Sequence, residues 1–122
     1  MAGLLVRKSK SSPDETRPFK DGKGKMSVFQ LGDSTVGLGE FEPGWRWSQH
    51  VKPIVGTPSC QAMHTGYVLE GRMIVKMDDG SETEYGPGDF FHMPAGHDAW
   101  IVGDQRCVLV DFTGAAKYAK KS

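Results

Sequence analysis

Apolar and polar side chains alternate in short runs along most of this chain, and a turn signal closes each run. Residues 26–31 and 35–41 carry the period of two expected of half-buried strands, with Gly32-Asp33 between them and Pro43-Gly44 after the second. The same reading predicts strands over residues 60–69, 73–77, 82–85, 90–93, 98–102 and 107–112. Glu70-Gly71, Asp78-Asp79-Gly80, Gly86-Pro87-Gly88-Asp89 and Pro94-Ala95-Gly96 supply the turns between them. Residues 45–59 break the pattern: Pro53, Gly56 and Pro58 predict a loop that wraps across the domain, and Trp45 and Trp47 at its start need cover. Only the tail after Gly114 reads as helical. Short strands with so little helix between them predict an all-β chain, an antiparallel sandwich or barrel.

Composition narrows this without changing it. A chain of 122 residues suits one domain with a modest core, and its 16 glycines, about twice the usual share, agree with many tight turns. The 15 basic and 15 acidic side chains cancel overall but not locally. Residues 1–25 hold seven basic and three acidic side chains, residues 115–122 add three lysines, and residues 26–114 keep five basic against twelve acidic. The chain is therefore read as a basic arm over residues 1–25, a compact acidic domain over residues 26–114 and a basic tail over residues 115–122. No aromatic alternates with the basic residues and no reader motif follows them, which argues against nucleic acid. The apolar stretch 2–6 is too short for a spanning helix or a signal core, so no membrane is expected and a cytoplasmic protein is read. In that compartment Cys60 and Cys107 are expected as free thiols.

The run Gly66-Tyr67-Val68-Leu69-Glu70-Gly71, followed by Gly86-Pro87-Gly88-Asp89 and Met93-Pro94-Ala95-Gly96, resembles the cupin superfamily over about residues 38–112. Gly88, Pro94 and Gly96 match the second motif of that superfamily in order and spacing. The resemblance implies a double-stranded β-helix, the jelly-roll barrel, with a pocket lined by residues 60–68 and 90–102. It also implies a homodimer, to which the N-terminal arm could contribute by crossing to a second copy. The metal positions depart from the motif. His64 stands where a glutamate is usual, seven residues before Gly71; Cys60 and Pro58 stand at the two preceding histidine positions. Ala99 stands at the remaining histidine position, with His97 only one residue after Gly96.

Two readings of these residues stay open. By the period of two, Cys60 and His64 share the strand face that the resemblance turns inward, His97 has the parity of Ala99, and His50 in the loop could fold over the mouth. Imidazole and thiolate together suit zinc, iron, nickel or copper, not calcium or magnesium. Alternatively His64 and His97 are buried histidines hydrogen-bonded within the fold, and Cys60 is a small hydrophobe. Trp45, Trp47 and Trp100 either plug the core or line the ligand mouth. Asp98 either pairs with His97 for proton transfer or caps the turn at Gly96. Arg46, Lys52 and Arg72 could hold a substrate carboxylate or lie at the surface. The function expected from the resemblance is a small enzyme of oxygenase, isomerase, dehydratase or decarboxylase type acting on a small polar or carboxylate-bearing molecule. His64 and His97 would be its catalytic residues. The alternative is a non-catalytic module that binds or senses a small ligand.

Overall fold

The structure, a computed structural model, describes residues 3–115 and 118. Among the described residues nine strands run in the order β1 (Glu15–Pro18), β2 (Gly24–Leu31), β3 (Ser34–Phe41), β4 (His64–Glu70), β5 (Met73–Met77), β6 (Glu82–Tyr85), β7 (Phe90–Met93), β8 (His97–Ile101) and β9 (Cys107–Asp111). They form a six-stranded sheet in the order β1-β2-β3-β9-β4-β7 and a three-stranded sheet in the order β6-β5-β8, every pairing antiparallel. This is the all-β antiparallel arrangement expected of the turn pattern and the jelly roll that the family resemblance implies. Among the described residues no helix is long and apolar enough to cross a membrane.

Alternation decides which side chains face the core. In β4, His64, Gly66 and Val68 are buried while Thr65 and Tyr67 look outward, the Tyr67 ring packing at a tilt against Phe90 with centroids 4.7 Å apart. In β8, His97, Ala99 and Ile101 are buried, and Asp98 and Trp100 are half-buried. His64 and His97 are therefore the first residues of two strands in opposite sheets, both turned into the same interior.

Three segments differ from the sequence reading. The sheet reaches back into residues 1–25: β1 pairs with β2 from Glu15↔Val28 to Pro18↔Lys25, and β2 begins at Gly24, ahead of residue 26. β1 lacks apolar alternation because it is an edge strand held by backbone pairing and by one buried side chain, Arg17. Second, residues 45–59 are not one irregular loop. They contain two four-residue helical turns, α1 (Trp47–His50) and α2 (Lys52–Val55), with Pro53 in the first turn of α2 and Gly56 closing it in the left-handed region. Trp45 and Trp47 thus reach the core from a loop and a helical turn, not from one strand face. Third, β4 starts at His64. Cys60 joins the sheet through a single bridge to His97, with its N–H donating to the His97 carbonyl at 2.7 Å. The helical tail expected after Gly114 falls mostly outside the described residues.

Gly66 shows how closely the strands around this interior approach. A Cβ there would overlap the Val110 carbonyl oxygen of β9 and the Phe91 ring. Gly66→Ala is expected to cost roughly 3 kcal/mol, the upper end for forcing volume into a packed interior, because backbone cannot step aside as a side chain can. A urea unfolding midpoint unchanged from wild type would contradict that packing.

Candidate metal centre

Cys60, His64 and His97 converge: each offers a ligand atom, all within 4.8 Å of one another, and all three residues are buried. Cys60 Sγ lies 3.6 Å from His64 Nε2. The far nitrogen of each histidine is already engaged. His64 Nδ1 is 2.6 Å from Asp111 Oδ2, and His97 Nδ1 donates to the Pro94 carbonyl at 2.7 Å. With Nδ1 of His97 carrying the proton, its Nε2 is left as a lone-pair donor, and the Asp111 carboxylate imposes the same tautomer on His64.

Local structure explains each placement. Gly96, at φ +91°, makes the tight corner that returns the chain into β8, so that His97 opens the strand beside Cys60. Asp111 closes β9 on the inward parity shared with Leu109 and Cys107. Its second oxygen accepts the Thr113 and Gly114 N–H groups at 3.0 and 2.8 Å, so the carboxylate is pinned on both sides. Gly114 lies against His64, where any Cβ would overlap His64 Nδ1 and the Met63 carbonyl.

These contacts set the electrostatics. Burial pushes the Cys60 thiol up, but hydrogen bonds and charge from His64 and His97 outweigh it and bring the thiol down from 9.0 to about 6. Burial pushes His64 down, yet the bonds and charges of Asp111 and Cys60 raise it to about 9. Without metal, the two groups form a thiolate and an imidazolium between those values. Cys107 behaves oppositely: burial, with the Glu70 charge, pushes it up to about 12. Ultraviolet thiolate absorbance of metal-stripped protein is therefore expected to rise once near pH 6, with the second thiol silent until far higher pH. Cys60→Ser removes that low step; its survival in this variant would assign the step to another group. By linkage, the Cys60 contribution to stability is complete above 9.0 and lost as pH falls through about 6. That of His64 is complete below 6.5 and lost as pH rises through about 9.

A cavity of about 30 Å³ adjoins the cluster, with His64, His97 and Asp111 on its wall and Phe41, Trp45, Trp47 and Tyr118 among its apolar lining. Trp100 is not on this wall: it lies half-buried beneath the Arg46 guanidinium, 4.4 Å from its ring centroid. His50 is also elsewhere. Its Nδ1 accepts the Arg46 N–H at 3.0 Å and its Nε2 faces Asp21 at 3.9 Å, so it organises the α1 turn and does not join Cys60, His64 and His97. Asp98 neither partners His97 nor caps the Gly96 turn; its Oδ1 accepts the Ser48 N–H of α1 at 3.1 Å and its own neighbour Ala99 N–H at 2.8 Å. Arg46 faces Asp98 at 3.8 Å and Arg72 faces Glu84 at 3.3 Å, and neither they nor Lys52 line the cavity. Asp111 and Tyr118 were absent from the sequence reading. A carboxylate on the apolar parity of a strand was a legible signal for Asp111; a lone tyrosine among tail lysines offered none.

The cupin-domain family model matches residues 58–113, which contain the whole Cys60, His64, His97 and Asp111 cluster. Residues 58–113 of this chain are a cupin domain. No curated protein sequence matches it. Among solved structures, the cupin resembles a protein of unknown function from Rhizobium leguminosarum bv. viciae 3841, at 23% identity and TM-score 0.60, over 90% of this chain and 97% of that one. It also resembles the polyketide cyclase RemF from Streptomyces resistomycificus, at 20% identity and TM-score 0.63, over 92% and 80% of the two chains. Oxalate decarboxylase from Lactobacillus farciminis aligns at 15% identity and TM-score 0.60, over 85% of this chain and 32% of that one. At these identities the likeness is one of fold. Against the superfamily motif, this cupin moves one imidazole. Ala99 is a buried part of the cavity wall, and His97, two residues upstream on the same face, takes the inward position beside Cys60.

Proposed function

We propose that this cupin is a metal-dependent protein in which Cys60, His64 and His97 hold one zinc or neighbouring first-row transition ion, and that the adjoining cavity presents a small molecule to it. One observation carries the reading: three buried donors of borderline-soft type lie within 4.8 Å, and both histidines have Nδ1 engaged by an oxygen acceptor. That is the donor set and the outer-shell support that such ions take, and three protein ligands leave a coordination position for substrate or water. A bound ion of this kind supplies a Lewis acid that polarises a carbonyl or lowers the pKa of a water. The chain's own residues do the rest. Asp111 holds the His64 ring and its proton, Pro94 holds His97, and the aromatic wall excludes bulk water. Among the described residues the lining is mainly apolar and carries no lysine or arginine, which favours a small neutral molecule over a free carboxylate.

Elemental mass spectrometry of untagged protein purified without chelator tests this directly. The expected result is close to one equivalent of a single first-row transition metal per chain, removed by chelator and restored by zinc. Substoichiometric content of every such metal, even after reconstitution, would overturn it. A second reading would then take over, because Cys60, His64 and Asp111 are aligned in series through contacts of 3.6 and 2.6 Å. That order of thiol, imidazole and carboxylate suits an activated thiolate nucleophile.

A further inference from the structure

Tyr118 lines the cavity. Tyr118 is buried at 5% exposure, lies edge-on to His64 with ring centroids 5.0 Å apart, and lies edge-on to Phe19 at 6.1 Å. Its backbone is held by a side chain from the opposite end of the chain. Arg17 is buried, and its Nη1 donates to the Ala115 carbonyl at 2.6 Å and to the Tyr118 carbonyl at 2.8 Å. The Tyr118 N–H adds one turn-closing bond to the Gly114 carbonyl at 3.0 Å. These polar contacts seat a phenol ring against a histidine of the candidate metal centre. Among the described residues no named strand or helix contains Tyr118.

A second, independent feature of the same cavity points to a ligand. The Trp45 side chain is 2% exposed and lines the cavity, and its indole Nε1–H is the buried side-chain polar atom that has no hydrogen-bond partner among the described residues. A buried donor left unpaired is costly, and a ligand oxygen would recover that cost. With Tyr118 seated, about 30 Å³ is open, room for water and not for a ring, since an apolar cavity of ~150 Å³ is the kind that takes benzene. The space that Tyr118 would vacate has the shape of a phenol by construction.

We propose that Tyr118 is an intramolecular occupant of the ligand site, and that the cavity binds a planar aromatic molecule carrying one accepting oxygen, which displaces Tyr118 and pairs with Trp45 Nε1. This rests on reading the cavity as the ligand site, as above, but not on the metal. The aromatic walls from Phe41, Trp47 and Phe91 supply edge and face contacts for a flat ring, and a single orphaned N–H asks for a single oxygen. Arg17 then sets how often the site is open, because the closed form must be broken before the ligand enters.

The test uses p-cresol as probe, titrated by calorimetry into full-length protein, with toluene lacking the oxygen and 4-methylcyclohexanol lacking planarity as controls. Metal content is measured on the same samples. The proposal expects p-cresol to bind, with 4-methylcyclohexanol at least roughly tenfold weaker. Arg17→Met, which removes the bonds to the Ala115 and Tyr118 carbonyls, is expected to tighten p-cresol by about tenfold. Trp45→Phe is expected to weaken p-cresol by about tenfold and leave toluene unchanged. If Arg17→Met does not fold, Arg17→Lys, which keeps the charge and loses the forked geometry, is expected to tighten binding in the same direction. No p-cresol binding, equal binding of the planar and non-planar alcohols, or an affinity unmoved by the Arg17 variant would each overturn the proposal. Metal-loaded protein that ignores p-cresol would sink this inference and leave the metal reading standing. Metal-free protein that binds it would do the reverse.

Discussion

Alanine at Cys60 or at His97 is expected to reduce bound metal from about one equivalent to a small fraction, while alanine at His50 leaves the content unchanged. Each of the first two removes one of three donors that meet within 4.8 Å, and no other His, Cys, Asp or Glu among the described residues completes that group. Loss of an outer-shell partner alone typically costs roughly 10–100-fold in affinity, so loss of a direct ligand should exceed that range. His50 is the informative control. It is also buried, but its ring nitrogens are committed to Arg46 and Asp21, and the sequence had placed it with the other three. Elemental analysis of the three variants, with circular dichroism to confirm folding, decides the matter. Full metal content in folded Cys60→Ala and His97→Ala would mean that the cluster is not the binding site, and loss in His50→Ala would move the site to the α1 turn.

Asp111→Ala is expected to be the most destabilising single change in the site. The carboxylate is 1% exposed, receives the His64 ring at 2.6 Å and accepts the Thr113 and Gly114 N–H groups. Removing one partner of a buried pair costs roughly 3–5 kcal/mol, because the other is left charged without compensation. For a domain of this size that corresponds to a fall in Tm of about 10–20 °C. Asp111→Asn keeps an oxygen for the two backbone donors and loses the charge that holds His64, so about half that loss is expected, with metal affinity still lowered roughly 10–100-fold. The pH dependence has a definite sign. Burial raises the Asp111 carboxyl, but the His64 bond and charge and the two backbone bonds outweigh it and hold it below 3.8. Its contribution is therefore complete above the ordinary carboxylate value and lost as pH falls through the depressed one. The stability gap between wild type and Asp111→Ala should narrow in strong acid. A gap that is constant with pH would show that the carboxylate acts by packing alone.

How much of this was legible beforehand depended on the range of the interaction. Residues 73–77, 82–85 and 90–93 were read with the bounds that β5, β6 and β7 show, since each is bracketed by a glycine or proline turn that works within a few residues. Residues 60–63 were read as strand and are not, because their apolar pattern continues that of β4 while only Cys60 finds a partner, through one bridge to His97. The α1 and α2 turns were read as loop because four-residue helices show no period of their own. β1 was read as part of the basic arm because an edge strand held by pairing and by Arg17 has no apolar face to show.

The sequence by itself determined the order of strands β2 to β9 and their turns, the common face of His64, Gly66 and Val68 and the chemical type of the Cys60, His64 and His97 donors, because side-chain direction within a strand follows a local period of two. Tertiary structure alone decided which of those donors meet. It seats His97 beside Cys60 by the single bridge across the corner at Gly96, sets Asp111 behind His64 by the pairing of β4 with β9, and sends His50 away to the α1 turn. It also brings Tyr118 onto His64 through Arg17, a contact between the two ends of the chain. Such meetings depend on how two sheets close over one interior, and that closure is a property of the packed whole that no local pattern encodes.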